Sequence, residues 1–169
     1  MALAAATLAC LSDGRFVLGL GSSHKVQVEG EHGIPYDRPV IRLKEVIEIV
    51  RTLLRDGYVS YKGEVYAIKA FDFSFPVPKT PVPIYLAALS PSALQLAGEV
   101  ADGVILAWQT LESIPDSRVQ VGVGLERAGR SWSDFEVGSL IPCSVSKERE
   151  TARRAVTGLI AFYGGFFPR

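Results

Sequence analysis

A strand-like run followed by a helix-like segment recurs four times along this chain of 169 residues. The strand-like runs are short, apolar and bounded by glycine, proline or polar residues, as buried parallel strands are. The first helix-like segment, 37–57, carries apolar residues at intervals of three and four, so it buries one face. Such alternation predicts an α/β fold with a parallel sheet, either doubly wound or part of a barrel. The predicted strands are 15–21, 82–89, 102–107 and 135–145, and the predicted helices lie within 37–57, 90–100, 119–128 and 148–162.

The composition and charge balance argue against several classes of partner. Lysine plus arginine (18) equals aspartate plus glutamate (18), so no overall field attracts nucleic acid or an anionic membrane. No apolar stretch is long enough to span a bilayer, and residues 1–11 are interpreted as the end of a helix rather than a signal peptide. Cys10 and Cys143 lie far apart in apolar runs and are expected to be buried free thiols, which favours a cytoplasmic protein.

Residues 57–81 interrupt the alternation and are predicted to form a hairpin and proline-rich insertion within a single domain, residues 1–169. Aromatic and β-branched residues flank Lys62 and Gly63, which indicates a turn between two short strands. The aromatic side chains of this segment could form the roof of a site, although such a hairpin more often covers the end of a barrel. They are Tyr61, Tyr66, Phe71, Phe73 and Phe75.

Ligands of parallel α/β proteins bind at the carboxyl ends of the strands, which directs attention to the loops after Gly21, Ala87 and Ala107. The first loop combines glycines with two serines, a histidine and a lysine, so it could admit a ring or a phosphate. The equally weighted alternative is a strand that simply ends in a glycine turn. It is not a dinucleotide fingerprint, because the third glycine and the immediate helix are missing. With only two histidines and no cluster at ligand spacing, no metal site is expected.

The second loop leads directly into a helix start at Ser90 and Pro91. Ser90 is expected to cap that helix, while backbone amides at its start could hold a phosphate, each contact contributing about 1 kcal/mol. Trp108 follows the third strand, where it could line a pocket or pack in the core. No Gly-x-Ser-x-Gly elbow exists, which argues against a serine hydrolase.

Four spaced motifs, in the right order and covering nearly the whole chain, resemble those of the bacterial luciferase-like family. The pairing of a Gly-Ser-Ser-His loop with a Gly-Ile-Pro-Tyr-Asp-Arg-Pro segment looks most like the deazaflavin-dependent branch of that family. The segments that carry the resemblance are Ser12–Gly21, Gly33–Pro39 with Arg42–Glu45, Tyr61–Tyr66, and Pro83–Ala88 with Ala97–Gly103.

The resemblance implies a luciferase-like (β/α)₈ TIM barrel, of which this chain supplies about strands 4 to 7, and hydride transfer between coenzyme F(420) and an organic substrate. Gly21, Ser22 and Ser23 would then lie near the ring or side chain of the cofactor. Ser22 stands where some family members place a catalytic glutamate, so the candidate catalytic residue is His24, an imidazole that can exchange protons near neutral pH. The residues expected to contact the cofactor phosphate are Ala87, Ala88, Leu89 and Ser90.

Three alternatives remain open at this point. One is an FMN-dependent monooxygenase on the same barrel, which oxygen consumption with a flavin would distinguish. Another is a truncated, non-catalytic barrel fragment that serves only as a binding or assembly module. The third alternative, a generic phosphosugar-binding α/β domain, has less support from the sequence than the other two. Because a partial barrel exposes two strand edges, we expect a homo-oligomer that binds a small-molecule substrate and neither nucleic acid nor membrane.

Overall fold

The computed structural model describes residues 1–164, and the chain divides into two compact units, residues 1–139 and residues 140–169. The first unit contains almost all of the secondary structure. In chain order the elements are α1 (Ala2–Leu11), β1 (Leu18–Leu20), α2 (Lys25–Gly30), α3 (Pro39–Asp56), β2 (Tyr58–Lys62), β3 (Ala67–Asp72), β4 (Ile84–Ala87), α4 (Pro91–Val100), β5 (Gly103–Ala107), α5 (Ile114–Arg127), a short 3₁₀ turn (Trp132–Asp134), β6 (Glu136–Leu140) and α6 (Arg149–Gly164).

The main sheet has four strands in the order β1-β4-β5-β6, while β2 and β3 form a separate antiparallel hairpin. The pairs β1–β4 and β4–β5 are parallel, with Leu20 opposite Leu86 and Tyr85 opposite Gly103. The strand–helix alternation predicted from the sequence is therefore confirmed as an α/β fold with a parallel sheet. Because the hairpin interrupts the chain between β1 and β4, these two neighbours are distant in sequence.

The two faces of the sheet differ in character. Ile84, Leu86, Val104 and Leu106 alternate along β4 and β5 and are at most 1% exposed, because α3, α4 and α5 cover that side. The opposite side, here called the inner face, consists of the intervening residues. These are Gly19, Tyr85, Ala87, Gly103, Ile105 and Ala107.

Helices α4 and α5 approach each other through glycine. A Cβ atom added to Gly98 would collide with the Val121 carbonyl oxygen, and one added to Gly124 would collide with the Gln95 carbonyl oxygen. The backbones of the two helices are therefore in direct contact at Gly98 and Gly124, where any side chain would force them apart.

The Ala-Asp-Gly turn before β5 ties the amino ends of the strands together. The Asp102 carboxylate accepts hydrogen bonds from both terminal nitrogens of Arg51 in α3 at 3.0 and 3.3 Å, and from the Ile84 amide at 2.8 Å. The Asp102 carbonyl oxygen accepts a further bond from the Glu136 amide at 3.0 Å. This motif lies at the end of the sheet away from the carboxyl ends, so we assign it a structural role.

Several element boundaries differ from the sequence-based expectation. Each predicted strand outside the hairpin is shorter than expected, since only the residues that pair with a neighbour are extended, and α5 begins at Ile114, earlier than expected. The segment between the first predicted strand and the first predicted helix contains the six-residue helix α2. The N-cap of α3 is Arg38 in a left-handed conformation, with no side-chain cap hydrogen bond.

The expectation that both cysteines are buried is wrong. Cys10 and Cys143 are both exposed: α1 buries its alanines and leaves Cys10 outside, and the residues around Cys143 are themselves exposed or half-buried. The hairpin is present, with Phe73 buried and Phe71 exposed. That residues 57–81 form an insertion within one domain stays a prediction.

The second unit, described as far as residue 164, contains the 16-residue helix α6. Its side chains are exposed or half-buried. Among all the helices of residues 1–164, none combines the length and apolar character needed to cross a membrane.

The α4–α5 contact can be tested with two alanine substitutions on one helix. Gly124→Ala should destabilise the protein by about 1–3 kcal/mol, because the new methyl group meets the backbone of α4. Gly122→Ala is the matched control: its Cβ would lie 3.6 Å from Trp132, an ordinary contact, so alanine's better helix propensity should leave stability unchanged or raise it by up to about 1 kcal/mol. Urea denaturation midpoints would measure both, and equal effects would contradict the contact.

Candidate functional site

The carboxyl ends of β1 and β4 lie side by side, which joins two of the three loops selected from the sequence. Since Leu20 is paired with Leu86, Gly21 lies next to Ala87, and a Cβ atom on Gly21 would be 3.3 Å from the Ala87 Cβ. Gly21 and Ala87 are both exposed. The residues that follow β1, β4 and β5 are here called the carboxyl rim.

The loop after β1 is held in a strained conformation. Ser23 has a φ of +58°, a left-handed value that is uncommon for a residue with a side chain. The hydroxyl of Tyr36 lies 3.1 Å from the Ser22 Oγ and 3.2 Å from the Ser23 carbonyl oxygen, so its single proton is shared between these two acceptors. His24, half-buried, then begins α2, and its carbonyl oxygen accepts from the Val28 amide at 3.0 Å. The catalytic role of His24 stays a prediction.

The loop after β4 begins a well-capped helix. The Ser90 Oγ accepts a hydrogen bond from the Ala93 amide at 3.3 Å, so its predicted role as the N-cap of α4 is confirmed. The Ala88 amide is engaged with the Ile105 carbonyl oxygen at 3.4 Å. Among the described residues, no hydrogen bond engages the amides of Leu89 and Ser90, so these two remain as donors to a ligand.

Trp108, the first residue after β5, also departs from ordinary backbone geometry. Its φ is +59°, which for a bulky aromatic residue costs about 1–3 kcal/mol and persists only where the surroundings enforce it. The next residue, Gln109, accepts hydrogen bonds through its Oε1 from the hydroxyls of Ser113 (2.6 Å) and Ser117 (3.1 Å). The third loop is thus tied to the start of α5.

A tyrosine–carboxylate pair lies on the inner face below the rim. The ring of Tyr85 extends over Gly103, where an added Cβ would be 3.0 Å from the ring, and its hydroxyl donates to Glu136 on β6. This hydrogen bond, with burial and the charge of Glu136, raises the pKa of Tyr85 to about 12. Tyr85 is therefore a neutral hydroxyl at physiological pH. Sequence reasoning missed the pair because its members lie on non-consecutive strands.

A mostly apolar cavity of about 250 Å³ adjoins the rim. It lies between the loop after β1, the start of α3 and the tip of the hairpin. Its polar groups include the Tyr36 hydroxyl and the Arg42 guanidinium, which donates to the Asp37 carbonyl oxygen at 2.8 Å. The apolar lining residues include Leu20, Val28, Ile34, Pro35, Leu43 and Val46.

A buried carboxylate fixes the hairpin tip beside this cavity. Glu45 on α3 is 4% exposed and accepts hydrogen bonds from the amides of Glu64 (2.6 Å), Val65 (3.2 Å) and Tyr66 (2.8 Å). Burial opposes ionisation, but these bonds and the charge of Arg38 outweigh it, so the pKa of Glu45 lies below its ordinary value of 4.5. The turn begins with a glycine, Gly63, because a Cβ atom at this position would collide with the Glu45 carboxylate.

Within residues 1–164, no group of three or more histidine, cysteine, aspartate or glutamate side chains is arranged to hold a metal ion. The polar groups that the carboxyl rim offers include hydroxyls, backbone amides and the imidazole of His24.

Comparison with known proteins shows the family to which nearly the whole chain belongs. The family model for luciferase-like monooxygenases matches residues 1–168. The 5,10-methylenetetrahydromethanopterin reductase of Archaeoglobus fulgidus is 34% identical over 161 residues, which are 95% of this chain and 48% of the relative. The F(420)-dependent glucose-6-phosphate dehydrogenase of Amycolatopsis mediterranei is 31% identical over 160 residues, 90% of this chain and 47% of the relative.

Among solved structures, the coenzyme F(420)-dependent tetrahydromethanopterin reductase of Methanopyrus kandleri superposes with a TM-score of 0.84 and 25% identity, covering 96% of this chain and 51% of that structure. The match confirms the predicted luciferase-like TIM-barrel fold, of which the present chain contains part. The chain spans about half the length of the curated relatives it matches.

The Glu45 contact predicts a specific dependence of stability on pH. Because the pKa is lower in the folded chain than the ordinary 4.5, the ionised carboxylate stabilises the fold fully above about pH 4.5, and that contribution is lost as the pH falls through the folded pKa. Glu45→Gln should lower the thermal midpoint at neutral pH by several degrees, since it presents an amide nitrogen to amide donors. The difference from wild type should shrink in acid.

Glu48→Gln is the matched control, because it keeps an oxygen that can accept from the Tyr61 hydroxyl, now 2.6 Å from Glu48. It should change the midpoint much less. A Glu45→Gln midpoint that stays equally far below wild type at every pH would show that the carboxylate charge is not the stabilising element.

Proposed function

Because the chain belongs to the luciferase-like monooxygenase family, we propose that this protein is an F(420)-dependent oxidoreductase that transfers hydride between the deazaflavin and an organic substrate. The observation that carries the proposal is the contact of Gly21 with Ala87. It brings the glycine loop and the start of α4 to one rim, as a cofactor with a ring at one end and a phosphate at the other requires.

The inner face near the rim fits a planar ring. A Cβ atom on Gly19 would meet no atom within 4 Å, and neither Gly21 nor Ala87 has a side chain longer than a methyl group. A ring system can therefore lie against the ends of β1 and β4 without displacing side chains. The hydroxyls of Ser22 and Ser23 border this space and can bond to the polar edge of the ring or to its side chain.

The start of α4 fits a phosphate. Leu89 and Ser90 immediately precede the first residue of α4, and this 10-residue helix adds the positive end of its dipole. Ala87 and Ala88 would lie close to the phosphate without donating to it, since the amide of Ala88 already donates to the Ile105 carbonyl oxygen. A phosphate at this position also lies beside Gly21, which keeps ring and phosphate within the span of one ligand.

The residues of this chain would bind and orient the cofactor and would hold a proton. F(420), when bound, supplies a two-electron carrier, so the protein needs no redox group of its own. The rim residues would set the position of the ring, and the apolar cavity beside them would limit the entry of water. Proton transfer to the substrate would fall to His24, because Ser22 offers only a hydroxyl at the adjacent position. The relatives act on different substrates, so the proposal extends only to an organic substrate.

Cofactor choice is tested on the native-length protein by titrating it with F(420) and, separately, with FMN. We expect saturable binding of F(420) at one site per chain and weaker binding of FMN. Reduced F(420) should be oxidised by an added substrate without oxygen consumption. Tight FMN binding with oxygen uptake would instead establish the monooxygenase alternative, and binding of neither cofactor would reject the proposal.

The phosphate position is tested by Ser90→Asp. Aspartate is as good an N-cap as serine, so the stability of the protein should not change. Its charge would repel the phosphate, and the dissociation constant of F(420) should rise at least about tenfold. Ser131→Asp is the matched control, because Ser131 caps the 3₁₀ turn by accepting from the Ser133 amide at 3.3 Å, outside the rim. Equal F(420) affinity in both variants and in wild type would remove the phosphate from this loop.

A further inference from the structure

We propose that Tyr36 is a positioning residue, whose hydroxyl holds the loop Gly21–His24 in the conformation that receives the cofactor. The inference rests on the proposed function for the identity of the ligand, but the control of the loop by Tyr36 stands on geometry alone. Nothing in the motifs of the sequence assigns Tyr36 a role in binding or catalysis.

The first observation is the strain in the loop. The left-handed conformation is unfavourable for a residue other than glycine, and Ser23 adopts it at the point where the chain leaves β1 for α2. The Ser22 Oγ and the Ser23 carbonyl oxygen lie 3.1 and 3.2 Å from the Tyr36 hydroxyl and share its proton. A hydrogen bond contributes about as much as one such residue costs, so Tyr36 is able to offset the strain.

The second observation is that Tyr36 is itself held. Its backbone amide donates to the Glu29 carboxylate of α2 at 3.2 Å, and its half-buried ring lines the apolar cavity. The Ser23 hydroxyl also donates to Gln27 on α2 at 3.3 Å. Helix α2 thus supports both sides of the contact, which makes the loop, α2 and Tyr36 one hydrogen-bonded unit.

The third observation is the position of this unit relative to the ligand space. Ser22 follows Gly21 directly, and Gly21 is in close contact with Ala87. A change in the direction of the chain at Ser22 would therefore move the glycine edge against which the ring lies. Small displacements of positioned groups have large effects on binding and on reactions that need alignment.

Removal of one oxygen atom tests the inference. Tyr36→Phe keeps the ring in the cavity and removes only the hydroxyl. Tyr66→Phe is the matched control: Tyr66 lines the same cavity, and within residues 1–164 its hydroxyl makes no hydrogen bond. We expect the F(420) dissociation constant of the native-length protein to rise about tenfold in Tyr36→Phe and less than about twofold in Tyr66→Phe.

Two further measurements separate positioning from general stability. Hydrogen exchange, followed by mass spectrometry over residues 21–25, should accelerate in Tyr36→Phe and not in Tyr66→Phe. The absorption band of bound F(420) should shift in Tyr36→Phe toward that of the free cofactor, while its thermal midpoint falls by no more than about 2–4 °C and that of Tyr66→Phe stays near wild type. Unchanged exchange, or equal loss of affinity in the two variants, would overturn the inference.

The failure of the proposed function would be visible separately. If the wild-type protein does not bind F(420), the cofactor assignment is wrong, and hydrogen exchange alone decides the role of Tyr36. Faster exchange over residues 21–25 in Tyr36→Phe then upholds its control of the loop, and exchange equal to wild type overturns it.

Discussion

The parallel pairing of β1 with β4 is the constraint on which the candidate site depends. Leu20 opposite Leu86 sets Gly21 against Ala87, and every proposed ligand contact follows from that register. A slip of one residue would turn the buried face of β4 outward and bring Ser22, with its side chain, to the place where the two strands now meet without one. The hairpin lies between these strands in sequence, so β4 can pair with β1 only after the chain has passed through the hairpin.

Two carboxylates make this arrangement compatible with a hairpin between β1 and β4. Glu45 uses backbone amides of the hairpin tip, and Asp102 uses the amide of Ile84 together with Arg51. In both cases a carboxylate accepts from backbone amides that have no partner within a sheet: the amides of the hairpin tip for Glu45 and the first amide of β4 for Asp102. The hairpin and the amino ends of the strands are thereby attached to α3, and the sheet keeps its regular pairing.

The parts of the fold that could be predicted from the sequence are those that burial dictates locally. Apolar runs located β4 and β5, and Ser90 followed by proline located the start of α4. Helix α2 escaped prediction because its six residues bury no side chain and show no apolar period. The contact of Tyr36 with Ser22 and the collection of hairpin amides around Glu45 depend on tertiary structure, for which residues far apart in sequence carry no local signal. The adjacency of the two rim loops was predictable from the rule for parallel sheets, whereas their ligand contacts remain predictions.

Five residues other than glycine in the described part of the chain are left-handed, and two of them, Ser23 and Trp108, lie on the carboxyl rim. Arg38, the N-cap of α3, is a third. Serine, arginine and tryptophan gain little from this conformation, unlike asparagine or aspartate, whose side chains compensate locally. The surrounding contacts must therefore maintain it, and the Tyr36 hydroxyl does so for Ser23. A rim held in strained geometry above the hydrogen bond from the neutral Tyr85 hydroxyl to the Glu136 carboxylate is preorganised before any ligand arrives, which is what a protein requires when its cofactor carries the chemistry and its own task is alignment.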